Sequence, residues 1–446
     1  MEYPNAPWKL WQLLDPGISA EDWQQAIYHA LHALDGLPAL NAGRDLTSLV
    51  DTILTERQFG PEHWRLSAIR RFYYSAIRPL LPVSLRPMLR RMFLSRQRNN
   101  AMLRWPIEDR YVRFQVEMLR YLIARRGVAE LPYMALWPQG RRYAFVLTHD
   151  IESSVGQDFV CAVADLEERF GFRSAFNFVA EDYRVDRGLM HDLRERGFEI
   201  GVHGLKHDGK LFRSRKSFGE QATRINAYLR EWGAAGFRSP FTHRHPDWMQ
   251  ALQAEYDSSF FDTDPFETIP GGTMSIWPFQ LGRLTELPFT LSQDHTLVST
   301  LAESTPRLWL DKIQFIERHS GMAMMITHPD YLRLPEFFGV YEKFLRVMSV
   351  RTGYWHALPR DVARWWRARG ALPGIGLDEE GALKIFPEGS VGTIRVGDSR
   401  SDDDPFSTIV VRPGRAVVDL RNSSDLPMFS HILPAALLLG GLGFLA

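Results

Sequence analysis

Short apolar runs that each stop at an ionisable residue constrain this chain more than any other feature. Arg142-Tyr143-Ala144-Phe145-Val146-Leu147 leads into Thr148-His149-Asp150-Ile151-Glu152. Phe198-Glu199-Ile200-Gly201-Val202 leads into His203, and Met322-Ala323-Met324-Met325-Ile326-Thr327 into His328. Runs of this length, bounded by polar residues, suit buried strands. Gly236-Phe237 and Glu255-Tyr256-Asp257-Ser258-Ser259 continue the series, with helix-length stretches between. The alternation predicts a parallel α/β architecture, and in such folds the chemistry gathers where strands end.

The residues at those ends suit a metal site. His203 and His207 stand four apart, a spacing that puts two imidazoles on one face of a helical turn. With one carboxylate they can hold a divalent ion such as zinc and leave a position open. Asp150 and Glu152, two apart on an extended strand, face the same side. They can supply both a ligand and a general base.

In chain order, Thr148-His149-Asp150, His203-Gly204-Leu205-Lys206-His207, Arg238-Ser239-Pro240-Phe241, Tyr256-Asp257-Ser258-Ser259 and Ile326-Thr327-His328 resemble five motifs. They are those of the NodB-like polysaccharide deacetylases, carbohydrate esterase family 4. The resemblance runs from Trp137 to Trp366, roughly half the chain. It implies an α/β fold, a distorted (β/α) barrel of NodB-homology type, that removes an N-acyl group such as acetyl from an amino sugar. It also implies Glu152, His203 and His207 as metal ligands with Asp150 as base, or the reverse assignment of the two carboxylates. His328 would be the acid on the leaving amine, Arg238 would orient the base, and Asp257 would support that network. Two positions depart from the family pattern. Ile151 stands where a ligating aspartate is usual, with a carboxylate returning at Glu152, and Gly204 replaces a serine or threonine.

Phe241, Asp264 and Glu267 are the expected substrate contacts. Flat rings cover the apolar face of a sugar, and neighbouring carboxylates take its hydroxyls. His149, His243, His245 and His295 are expected outside the ligand set.

Composition sets outer bounds. With 53 basic and 53 acidic residues the net charge is +0, so nothing draws the chain towards nucleic acid. Cys161 stands alone, which excludes an internal disulfide framework. At 446 residues the chain exceeds one average domain. It divides into a mostly helical N-terminal region (1–136), the barrel (137–370) and a small β appendage with an apolar tail (371–446). Ser19 opens the first amphipathic stretch as a helix cap. The basic and apolar segment Arg78–Leu94 suits either a domain-packing helix with its arginines outward or peripheral contact with an anionic membrane surface. The opening residues lack an apolar signal segment, so the expected location is cytoplasmic, including the inner face of the membrane. The expected partner is an N-acylated sugar or polysaccharide, and the oligomeric state is unspecified. Two alternatives stand beside this reading: a non-catalytic sugar-binding or scaffold protein of a polysaccharide assembly system, and a related-fold hydrolase of cyclic amides.

Overall fold

The computed structural model describes residues 4–36, 46–65, 101–371, 391–397 and 408–413. Its centre is a curled sheet whose strands are β2 (Tyr143–Ile151), β3 (Ala175–Phe178), β4 (Glu199–Val202), β5 (Gly236–Phe237), β6 (Tyr256–Asp257), β7 (Phe279–Leu281), β8 (Leu284–Glu286), β9 (Met322–Thr327) and β10 (Tyr354–His356). Neighbours run β2-β3-β4-β5-β6-β8-β7, with β10 and β9 also pairing β2. All pairs are parallel except the β7–β8 hairpin. Beyond β8, the Thr290 and Leu291 amides donate to the Met324 carbonyl, so an irregular segment closes the curl against β9. This is the distorted (β/α) barrel that the resemblance implies.

The sequence explains the centre. Every residue of β2 is buried, which a strand covered on both faces requires. Parallel register sets Asp150 opposite Asn177 and brings Phe178 beside Val202. The carboxyl ends of β2, β4, β5 and β9 therefore deliver Asp150, His203, Arg238 and His328 to one mouth of the barrel.

Helices before the barrel share its core. Ser19 caps Ala20–Ala30 through a capping box with Asp22, as expected. Trp11 packs edge-on against Trp277 at 5.7 Å and donates its indole N–H to Gln115. A separate sheet joins Leu131–Met134 (β1) to Val391–Gly397 (β11) and Thr408–Pro413 (β12), all antiparallel. Two of its strands fall where the C-terminal β segments are expected; the third precedes the barrel. The basic Arg78–Leu94 segment and the apolar tail 432–446 lie outside the described residues, as do Ala382–Phe386, which read in sequence as a short strand, and Asp402–Asp404, which read as an acidic loop. Among the described residues, no helix is long and apolar enough to cross a membrane.

Glu199 on β4 carries a pH dependence of stability. It is buried and accepts from the Tyr256 hydroxyl at 2.9 Å and the Arg360 amide at 3.1 Å. Burial pushes its carboxyl up to about 7 from 4.5, and the two hydrogen bonds offset only part of that. The folded protein thus keeps a proton that the unfolded chain releases, so stability must fall as pH rises through that window. Urea titrations at about pH 5 and about pH 8 should show wild type losing about 2–3 kcal/mol relative to Glu199→Gln. Parallel pH profiles for the two proteins would refute this.

Candidate active site

His203 follows β4 directly and is 2% exposed. Its backbone N–H donates to the Phe178 carbonyl, which ties it to the end of β3. Its Nδ1–H donates to the Arg238 carbonyl at 3.1 Å, so the neutral ring keeps the Nε2 lone pair available. Burial holds the imidazole down at about 4, against the pull of Asp150. It is therefore neutral at neutral pH, as a ligand must be.

The chain reaches His207 by a loop and not by the helical turn that the four-residue spacing suggests. Gly204 has φ +69°, a left-handed conformation that interrupts any helix there. A Cβ at this position would stand 2.7 Å from Pro240 Cγ, which accounts for glycine here. The loop still brings the rings together, with centroids 5.4 Å apart. His207 Nε2 lies 3.0 Å from Glu152 Oε1, and its backbone N–H donates to Asp182. One ligand atom from each of Glu152, His203 and His207 lies within 4.8 Å of the others. Burial pushes the Glu152 carboxyl up, but the His207 hydrogen bond and neighbouring imidazoles outweigh it and hold it at about 2. An ionised carboxylate with two imidazoles is a donor set that fits a divalent cation.

Asp150 stands behind this trio. Its Oδ1 accepts from Asn177 Nδ2 at 2.9 Å and from Arg238 Nη1 at 3.1 Å. Its Oδ2 faces His203 Nδ1 at 3.9 Å. Burial alone would raise this carboxyl; the charge of Arg238, and behind it that of His328, holds it well below the usual carboxylate range. Arg238 is fully buried; its Nη1 also donates to Thr148 Oγ1 at 2.8 Å and its Nε to the Ser258 carbonyl at 2.9 Å.

His328 completes the ring. Its Nδ1–H and its backbone N–H both donate to Asp294, at 2.7 and 2.8 Å. Nε2 is left facing Glu152 Oε1 at 3.8 Å. Burial would strip the proton from this imidazole, but Asp294 outweighs it and raises the ring to about 10. Asp294, His295 and His328 form a second group with metal-ligand spacing. There, however, Asp294 Oδ1 accepts from both His328 Nδ1 and the His295 amide, while Oδ2 takes the His328 amide. Those bonds commit Asp294 to orienting His328.

No family model matches the chain. No curated protein matches it. Solved structures do show similarity over about half of the chain. A Mycobacterium smegmatis protein assigned as a polysaccharide deacetylase is 19% identical over 53% of this chain and 94% of its own, with a TM-score of 0.44. A Pseudomonas aeruginosa PAO1 protein with the same assignment is 14% identical over 54% of this chain and 96% of its own, with a TM-score of 0.45. Puue allantoinase is 14% identical over 53% of this chain and 93% of its own, with a TM-score of 0.43.

The remaining expected residues are placed as follows. Phe241 lies over His207 with ring centroids 4.1 Å apart and is 36% exposed. Glu267 is buried and accepts from Thr242 Oγ1 at 2.8 Å and from Gln293. Asp264 is buried too, and its Oδ1 accepts from the Phe266 amide of its own loop. Burial and then repulsion from Glu267 push the Asp264 carboxyl up, and burial does the same to Glu267. Asp257 lies one layer further back. It accepts from Ser259 and pairs with Glu286, and its link to the site is electrostatic, through Arg238. His149 is buried between Thr327 and Glu167, away from the ligand trio.

Sequence reasoning missed two partners. Asn177 is the one polar side chain in the strand Ala175-Phe176-Asn177-Phe178, a legible oddity in an apolar run. Asp294 opens the short helical stretch that runs into the π-helix Thr296–Thr300, with no such signal.

Proposed function

We propose that this protein is a metal-dependent hydrolase that removes an N-acyl group from an amino sugar of a polysaccharide or glycolipid precursor. The observation that carries the reading is an ionised carboxylate and an oriented imidazolium flanking one donor set. Asp150 is held ionised by Arg238, and His328 is held protonated by Asp294, on either side of Glu152, His203 and His207. Pairs of titratable groups pushed apart in this way mark acid and base assignments.

Glu152, His203 and His207 would hold the cation, and zinc suits two imidazoles and one carboxylate. When bound, such a cation polarises the acyl carbonyl and makes water acidic enough to lose its proton near neutral pH. Asp150 then has a defined task. With Oδ1 occupied by Arg238 and Asn177, Oδ2 is the oxygen that takes the water proton. The water oxygen bonds to the acyl carbon. The C–N bond breaks as His328 gives its Nε2 proton to the departing amine. The products are a carboxylic acid and a free amino sugar. Phe241 offers an exposed ring beside His207 for the apolar face of the sugar.

The test is acetate and formate release from N-acylated sugar nucleotides, lipid-linked sugars and oligosaccharides. Release from one of these classes is expected. Release only from a cyclic amide, or none from any of them, would overturn the reading.

A further inference from the structure

Phe241 and Thr242 are held in a conformation that side chains avoid. Their φ angles are 59° and 53°, two successive non-glycine residues in the left-handed region. Such residues persist only where the surroundings over-determine them, and they cluster at ligand sites. The Thr242 hydroxyl donates to Glu267, and the Thr242 carbonyl accepts from Arg244 Nη1 at 3.0 Å. Arg244 is 2% exposed, lies over the Phe261 ring at 4.2 Å and also donates to the Ile269 carbonyl.

Arg244 finds its carboxylate outside the barrel. Glu56, 188 residues earlier, takes both its Nε and its Nη2 in a bidentate pair. Glu56 is 4% exposed, and its Oε1 also accepts from the Gly272 amide at 2.7 Å. Gln58, two residues on, donates to the Gly272 carbonyl. One side chain from the N-terminal region thus joins two loops: the one that displays Phe241 and the one that carries Asp264 and Glu267. Planar, bidentate pairing of this kind fixes orientation as well as distance.

We propose that Glu56 is a positioning residue for substrate: through Arg244 it fixes the Phe241–Thr242 backbone against the 262–273 loop. The N-terminal region is then part of the sugar site, and Glu56 governs the grip on substrate and not the bond-breaking step. This rests on the reading of the site as an N-acyl amino sugar hydrolase. A buried arginine that loses its partner is left uncompensated and must move, and the Thr242 carbonyl moves with it. The Phe241 ring then leaves its place over His207, while Glu152, His203 and His207, held by other bonds, stay.

Two measurements on the metal-loaded full chain test this. In steady-state kinetics, Glu56→Gln should raise KM about tenfold and leave kcat and metal content near wild type, the signature of lost binding without lost chemistry. In a Phe241→Ala background the same substitution should add nothing, because both act on one contact. A fall in kcat with KM unchanged, or full additivity with Phe241→Ala, would overturn the proposal. In hydrogen exchange, Glu56→Gln should speed exchange at 241–243 and 269–272 and spare 199–207. A uniform increase across the barrel would mean a general structural role and would also overturn it. If wild type releases no acyl group, the hydrolase reading fails by itself, and the exchange pattern still decides whether Glu56 fixes the loop.

Discussion

Asp150→Asn is expected to keep its metal and lose turnover, with kcat down by ~10²–10⁴, the range for removing a general base. The substitution is nearly isosteric and does not touch the ligand trio. One amide oxygen can still accept from Asn177 and Arg238, as Oδ1 does in the native protein. What is lost is the negative charge on the second oxygen, the atom that faces His203. Arg238, a buried cation, would then lose the carboxylate it is paired with, so a drop in melting temperature should accompany the loss of rate. Equilibrium dialysis against zinc together with kcat separates the effects. Lost metal binding would make Asp150 a ligand and exchange its role with that of Glu152. Full activity would remove it from the mechanism.

His328→Ala should cost a similar ~10²–10⁴ in kcat, again with metal retained, because a leaving amine cannot depart as an anion. Asp294→Asn is the more informative partner experiment. Asp294 receives two donors from His328, and its charge keeps the imidazole protonated in spite of burial. An asparagine there can accept from Nδ1 but cannot hold the charge, so kcat should fall while KM and metal content stay. The double variant His328→Ala with Asp294→Asn should be no slower than His328→Ala alone, since groups acting as a unit are not additive. Additive losses would mean that Asp294 acts elsewhere.

The barrel was legible in the sequence because its strands are brief, fully apolar and end on titratable groups. β2, β4 and β9 fall close to the runs that predict them. Asp150, Glu152, His203, His207, Arg238 and His328 were legible as well, since each sits at or just beyond a strand end that parallel register brings to one mouth. What escaped is what depends on loops and long-range pairing. The His203–His207 spacing suggests a helix, yet Gly204 at positive φ makes it a loop. Asp257 is expected to support the Arg238 network and lies behind Arg238; what its motif does not show is the pairing with Glu286. Asp294 reaches His328 across 34 residues from the start of a helical stretch too short to show a period in sequence. Glu56 meets Arg244 across 188, and nothing local marks either one as the other's partner.

The central claim is that Glu152, His203 and His207 hold a cation that the chemistry needs. The measurement that tests it most directly is the metal content of purified wild type and His203→Ala, read together with acyl release before and after chelation. About one metal per chain in wild type, lost in the variant, with release abolished by chelation and restored by zinc, is the predicted result. Wild type that binds no metal, or that releases acyl groups equally well after its metal is stripped, would contradict it.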